Sequence, residues 1–513
     1  MQQVRPYLPL VSLATIAALS TIAMYHQGVG LSTDTIAYFA YAQTLAFADL
    51  PVHHGVLYAL FVGLFAATGL AVPVAAATVN VIAAFVAGAA LSGILTRVFN
   101  ARPAWAPWAA GLLTLFSLAW LDSFAYAMSE PLFYATLLAA TYFLLMALDQ
   151  PARAPALWYS AGFAALATLT RYAGLSFVAI FCFVIWWAHA FRGRGFKYAL
   201  AYGAIAMLPL TVLMIWNHLY HGTTTNRQLL WTAIPSHYLA EGTMNIASWF
   251  VPFKLLLQWP WLHVALTLAF LLAVAGITAQ AAFTRHRPLL LCGLATLGYT
   301  LFYLLVSVTV DLGAFNQRKL SPVFIFGFMT LIGWLYPAVA LHRRRLVRLA
   351  GAVMALYMIL FTGYRAAGYI HESYRDGRGF AARHWEEGIL LQAVHYFRSQ
   401  TPIYSNADDA YFLRTGQSIR RIPWRFIRTT TIELESFPAE YERMRHAFLA
   451  EGAVLWRSHL RYWPPYLTPA DDIIEAFDLA PFHEAPTGSL YAHTSKVEIY
   501  ADRLAAITSA PSH

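Results

Sequence analysis

Residues able to do chemistry are sparse in this 513-residue chain and lie mostly between long apolar runs. Asp34 sits in LSTDTIAYFAYAQTL, just past the first run and directly before a helix-like stretch. A carboxylate there can take a proton from an attacking hydroxyl; Ser, Thr and Asp also favour helix N-caps, so a capping role stands beside it. Asp122 and Glu130 flank the segment LDSFAYAMSEPLF, in which Ser129, Glu130 and Pro131 also make a good helix start. Arg171 interrupts an apolar stretch from 155 to 190. A charge at the centre of a membrane span costs at least about 2.5 kcal/mol, so Arg171 must be compensated or must snorkel to a surface.

The elements that hold these residues are dictated by composition. Apolar residues make up 59% of the chain and charged residues only 12%, half the roughly 25% of a soluble globular protein. A soluble enzyme is excluded, and the chain reads as a polytopic membrane protein. Residues 1–364 carry 18 Lys and Arg against 7 Asp and Glu, whereas 365–513 carry 16 against 18. The net charge of +9 therefore belongs to the membrane part and does not point to nucleic acid. Cys182 and Cys292 both lie in apolar runs, which leaves no disulfide framework. The run near 8–26 lacks a clear cleavage site and reads as a retained span.

Runs long enough to cross about 30 Å of hydrocarbon lie near 8–26, 72–96, 105–121, 131–148, 155–171, 173–190, 198–216, 262–283, 289–307, 321–341 and 348–364, eleven in all. The shorter run 55–70 is best placed flat at the outer interface. With that choice the inner loops collect Arg5, Arg97, Arg102, Arg153, Arg192, Arg194, Lys197, Arg285, Arg287, Arg343, Arg344, Arg345 and Arg348. Making 55–70 a span would turn these clusters outward, against the positive-inside rule. The N-terminus is then cytoplasmic and the tail extracytoplasmic, in an inner or plasma membrane. Of the seven acids in the membrane part, only Asp149 falls inside. The outward six, Asp34, Asp49, Asp122, Glu130, Glu241 and Asp311, suggest a polar site on the outer face.

Residues 365–513 read as a separate α/β domain, and 1–364 as the transmembrane catalytic domain with an outer loop at 27–71. In the tail, IYSN at 403–406, AVLWRS at 453–458 and LYAHTS at 490–495 are strand-like, and DDAYFLRTG at 408–416 is helix-like with Gly416 as its stop.

Taken in order, Asp34, the segment PVHHGVLYALFVGLF, AMSEPLFYATLLAATYFLL at 127–145 and ATLTRYAGL at 167–175 resemble the C-type glycosyltransferases, the GT-C superfamily. They are similar to its protein-mannosyltransferase and aminoarabinose-transferase branch of bacteria and archaea. The resemblance covers most of residues 1–365. It implies transfer of a sugar from a polyprenyl-phosphate donor, usually with inversion, to a glycan, lipid or protein acceptor on the outer face. Asp34 matches the first-loop catalytic Asp of that superfamily. His53 and His54 stand where relatives often carry a basic residue beside a proline pair; the prolines are absent here, and ordinary interfacial packing stands beside a role in sugar or phosphate contact. Relatives often carry an acid in the second outer loop, which makes Asp122 and Glu130 candidates for holding substrate. Arg171 becomes a candidate anchor for the donor phosphate, because a planar guanidinium suits paired phosphate oxygens. The last outer loop, VDLGAFNQRKLSPVF, offers Arg318 and Lys319 for the same phosphate, beside Asp311.

No dinucleotide fingerprint or P-loop is present: GVGLST at 28–33 lacks the third glycine and follows a span. His218, His221, His237 and Glu241 match no familiar metal-ligand spacing, so no metal or other cofactor is expected, although a divalent ion is compatible with such loops. A transporter or lipid flippase is the alternative function. It predicts ionisable groups at mid-membrane depth, whereas here they gather at one face. A sensor whose tail binds a partner accounts for the tail but not for the outward acids.

Overall fold

The computed structural model describes residues 8–45, 55–100, 105–149, 154–189, 195–225, 229, 231, 233–310, 313, 315–340, 344–385, 389–427, 432–461, 463, 464 and 466–508. The chain divides into two compact units. The first comprises Met1–Val29, Ala37–Val310 and Ala314–Arg375; the second comprises Gly30–Ile36, Asp311–Gly313 and Asp376–His513.

The first unit is helical. Among the described residues, seven helices are long and apolar enough to cross a membrane: Val72–Val98, Glu130–Asp149, Gly195–His221, Pro260–Thr284, Arg287–Thr309, Gln317–Val339 and Arg345–Asp376. Each coincides with an expected run. The runs near 8–26, 155–171 and 173–190 are the helices Leu8–Met24, Ala154–Thr170 and Gly174–His189. The run at 105–121 is not one helix but two, Trp105–Leu115 and Leu118–Phe124. Ser117 breaks it, because its Oγ accepts from Trp120 N at 3.2 Å and so caps a new helix. The piece expected at the interface is Val56–Ala66; eleven residues reach only about 16 Å, too short to cross.

Burial in this unit is arranged as a bilayer requires. Large apolar side chains such as Leu208, Leu272, Leu301 and Leu360 are more than 60% exposed, which water would penalise and lipid does not. Where Leu8–Met24 meets Val72–Val98, the buried contact is made by small residues. Ala83, Ala84, Ala87 and Gly88 of Val72–Val98 are buried, as are Ala14 and Ala17 of Leu8–Met24. A Cβ on Gly88 would stand 2.9 Å from the Leu13 carbonyl oxygen and 3.0 Å from Ala14 Cα. The two backbones thus approach through a small-residue face, the usual means of close helix packing in lipid.

The second unit is α/β. Strands β1 (Ile403–Ser405), β2 (Arg420–Arg421), β3 (Val454–Ser458), β4 (Leu479–Ala485) and β5 (Gly488–His493) form one sheet in the order β2-β1-β3-β5-β4. β1 runs parallel to β2 and β3, and β5 antiparallel to β3 and β4. Alternate residues feed opposite faces. Ile403, Val454, Trp456 and Leu490 pack with Phe397, Tyr500 and Leu504; Tyr404 and Leu455 pack with Met444, Phe448 and Ile473. Helices therefore cover the sheet on both sides. The predicted helix at 408–416 is Asp408–Thr415, stopped by Gly416 at φ 68°, where a side chain would be strained. The expected boundary after residue 364 falls inside a helix: Arg345–Asp376 continues past the apolar run, and the second unit resumes at Asp376. Loss of apolarity at 364 ends the greasy stretch, not the helical hydrogen bonding.

Candidate functional site

In the first unit, charge and polarity converge where the helix Glu130–Asp149 begins. Glu130 stands in its first turn with Pro131 behind it, a start that favours a negative charge and a residue lacking N–H. The carboxylate is buried, and its Oε1 lies 2.6 Å from Arg171 Nη1. Arg171, required by the sequence to be compensated, is compensated by Glu130. It projects from the tight turn between Ala154–Thr170 and Gly174–His189. There Arg171 N donates to the Ala167 carbonyl and Gly174 N to the Arg171 carbonyl, both at 2.9 Å. Two glycines make this turn possible. A Cβ on Gly174 would lie 2.8 Å from Thr168 N, and one on Gly55 would lie 2.2 Å from the Thr170 carbonyl oxygen.

Around this ion pair lies a set of neutral hydrogen-bonding side chains that the sequence reading did not single out. Ser129 Oγ accepts from Tyr38 OH at 3.1 Å and from Arg171 Nη1 at 3.4 Å. The Tyr58 ring meets Tyr38 edge to face with centroids 5.1 Å apart. Asn80 Nδ2 donates to Tyr25 OH and to the Tyr126 carbonyl, each at 2.8 Å. Tyr58 OH and the Asn80 side chain face one another within hydrogen-bonding reach, and among the described residues the buried Glu130 Oε2 has no hydrogen-bond partner. Buried polar atoms without partners are costly, so the cluster is suited to receive polar groups from another molecule. A lone Asn or Tyr inside an apolar run was the available sequence signal; it does not by itself distinguish a site from a satisfied core residue.

Arg318 approaches the same loop. Its guanidinium lies over the Tyr126 ring, 5.1 Å from the centroid, and contacts Met128 Sδ. Arg171 and Arg318 thus both act on the segment Tyr126–Glu130. The start of Gln317–Ala340 is tied down through Ser321, which accepts from Ser123 Oγ at 3.1 Å and is hydrogen-bonded to Tyr134 OH. Lys319, next in the chain to Arg318, exerts its charge on Glu241. Burial pushes the Glu241 carboxyl above its ordinary range, against the opposing pull of Lys319 and His237. Asp122 accepts from Tyr369 OH at 2.9 Å, which ties Leu118–Phe124 to Arg345–Asp376.

Asp34 is described with the second unit. It is half-buried in the first turn of the helix Thr33–Thr44. Ser32 N donates to Thr35 Oγ1 at 3.0 Å and Thr35 N to the Ser32 carbonyl at 3.0 Å, so the helix start is closed by this pair. His53, His54 and Asp311 lie outside the described residues. No group of three or more His, Cys, Asp or Glu side chains with metal-binding geometry occurs among the described residues. His218 and His221 lie in the last turn of Gly195–His221, whereas His237 packs against Tyr238 with ring centroids 4.2 Å apart.

No protein-family model matches the chain, and no curated protein does. Its architecture does match solved structures. ArnT from Cupriavidus metallidurans in the apo state aligns with a TM-score of 0.55 at 12% identity, covering 95% of this chain and 98% of that one. The same protein bound to undecaprenyl phosphate aligns with a TM-score of 0.51 at 11% identity, again over 95% of this chain and 98% of that one. The chain shares the fold of these two structures: a polytopic helical part with apolar spans and a small α/β unit.

Proposed function

We propose that this GT-C-fold membrane protein is a glycosyltransferase that takes a sugar from a polyprenyl-phosphate donor at the outer face of the membrane. The observation that carries the reading is the convergence of Arg171 and Arg318 on the Tyr126–Glu130 loop, beside the buried Glu130 Oε2, which has no hydrogen-bond partner among the described residues. The similarity to a structure that holds undecaprenyl phosphate supports the donor class.

The chemistry follows as a single displacement with inversion. The acceptor hydroxyl oxygen attacks the anomeric carbon while Asp34 takes its proton; the bond from that carbon to the phosphate oxygen breaks, and its electron pair leaves with the polyprenyl phosphate. The phosphate charge grows from about −1 towards −2 as the bond breaks, and fixed cations at that position lower the barrier. Arg171 keeps guanidinium donors beyond the one facing Glu130, and with Arg318 it meets the phosphate; Lys319, beside Glu241, contributes a further positive charge. Asp122, Glu130, His53 and His54 hold the sugar or the acceptor. No metal or other cofactor takes part in this scheme. The N-terminus is cytoplasmic and the C-terminal domain extracytoplasmic. A transporter would place ionisable groups deep within its spans; Glu130, the one buried carboxylate among the described residues of the first unit, sits at a helix end.

The test supplies purified protein in lipid with a panel of labelled polyprenyl-phosphate sugars and an envelope extract of glycans, lipids and proteins as acceptor. Wild type consumes at least one of them and Asp34→Asn, expressed to the same level, does not. Full turnover by Asp34→Asn removes Asp34 from the mechanism, and an inert wild type across the panel removes the donor class.

A further inference from the structure

We propose that the second unit positions the Asp34 segment, and that Arg461 is the positioning residue, acting through Thr33. The proposal rests on Asp34 being the base. Residues Gly30–Ile36, far upstream in sequence, fold as part of the same compact unit as Asp376–His513. Leu31 pairs with Gly379 as a parallel bridge, and Phe380 N donates to the Leu31 carbonyl at 2.9 Å. Arg461 then spans from this segment to the sheet domain. Its Nη2 donates to Thr33 Oγ1 at 3.4 Å, and its Nη1 stands 3.4 Å from Asp409 Oδ2.

Asp409 is itself rigidly held. It is buried, and its Oδ1 accepts from Arg421 Nη2 at 2.7 Å; Arg421 Nε bonds the neighbouring Asp408 Oδ2 at 2.9 Å. Arg421 lies over Trp424 at 5.5 Å from the ring centroid, and Arg461 over Phe380 at 5.7 Å. Burial and the Asp409 charge push the Asp408 carboxyl upward, against Arg421 and Arg461. Two arginines and two aspartates thus form a locally balanced brace. The cavity between them, lined by Thr33, Asp409, Arg421, Trp424 and Arg461 among others, measures about 20 Å³. That volume admits about one water, so the place is a joint and not a substrate pocket.

Thr33 is the first residue of the helix that carries Asp34. A bond to its side chain sets where that helix begins and therefore where the next side chain points. A displacement of about 1 Å at a reacting group costs on the order of 10²-fold in rate. Arginine suits the role because its planar fork reaches two acceptors at once, which a lysine ammonium does not match.

The experiment uses the 513-residue chain in lipid nanodiscs, with two readouts: amide hydrogen exchange over 30–36, and transfer from the labelled polyprenyl-phosphate sugar that wild type consumes best to the same acceptor extract. Thr33→Val and Arg461→Leu raise exchange at 30–36 about tenfold and lower kcat by about 10²-fold with little change in KM for the donor. Thr33→Ser restores both. Asp34→Asn abolishes turnover while exchange stays as in wild type. Thr33→Val with wild-type exchange and wild-type kcat overturns the positioning role even if Arg461→Leu is unstable. Turnover retained by Asp34→Asn sinks the reading of Asp34 as base, whereas the exchange data still decide whether Arg461 holds the segment.

Discussion

Glu130 and Arg171 show how one ion pair answers two demands. A charge in an apolar setting is tolerated when an opposite charge reaches it at hydrogen-bond distance, and removing one partner leaves the other buried and uncompensated, at a cost of about 3–5 kcal/mol. Glu130→Ala and Arg171→Met are each expected to lower thermal stability in detergent by roughly that amount. The double variant Glu130→Leu with Arg171→Met is expected to recover much of the stability, since an apolar pair removes the desolvation cost. It is expected to recover no donor turnover, because the phosphate has lost its fork. Thermal unfolding and donor consumption on the three variants check this, and a stable, fully active double variant would reduce the pair to a structural one. The sequence marked both residues because a charge within an apolar run must be answered. It did not pair them, since 41 positions separate them and only packing of three helices brings them to 2.6 Å.

Among the elements, apolar runs were reliable guides because a span must satisfy its own backbone hydrogen bonds and face lipid. Among the described residues each expected run is built of helix, the run at 105–121 as two pieces. Breaks depend on local capping, which is why Ser117 split the run at 105–121 where hydropathy showed none. Close approaches depend on partners distant in sequence. Gly55 precedes the helix Val56–Ala66 and lies against the last residues of Ala154–Thr170, next to Arg171. Gly55→Ala is expected to destabilise by about 1–3 kcal/mol as overpacking against backbone that cannot yield. Gly162→Ala, in the same Ala154–Thr170 helix with nothing within 4 Å of the added carbon, is expected to leave stability unchanged or slightly raised. Thermal unfolding of the two variants side by side tests the contact, and equal behaviour would remove it.

At the scale of the molecule, the positive-inside rule predicts that the basic fringe keeps its side of the spans in the cytoplasm. Ser399→Cys, exposed in the second unit, is expected to react with a membrane-impermeant maleimide in intact cells. Thr284→Cys, at the far end of Pro260–Thr284, is expected to react only after permeabilisation. Both are made in a background with Cys182 and Cys292 replaced, and the reverse labelling pattern would invert the topology.

Composition and the spacing of apolar runs determined by themselves that this chain lives in a membrane, and roughly where its helices lie, because lipid selects for apolarity residue by residue. The α/β tail was readable in the same local way, from strand alternation and a glycine stop. Tertiary structure alone decided that Gly30–Ile36 folds with the second unit, that Glu130 answers Arg171, and that Tyr38, Tyr58, Asn80 and Ser129 gather around that pair. Such groupings join residues tens to hundreds of positions apart. Nothing in a local pattern encodes them, since they arise only when helices pack and close the distance between side chains that hydropathy treats as unrelated.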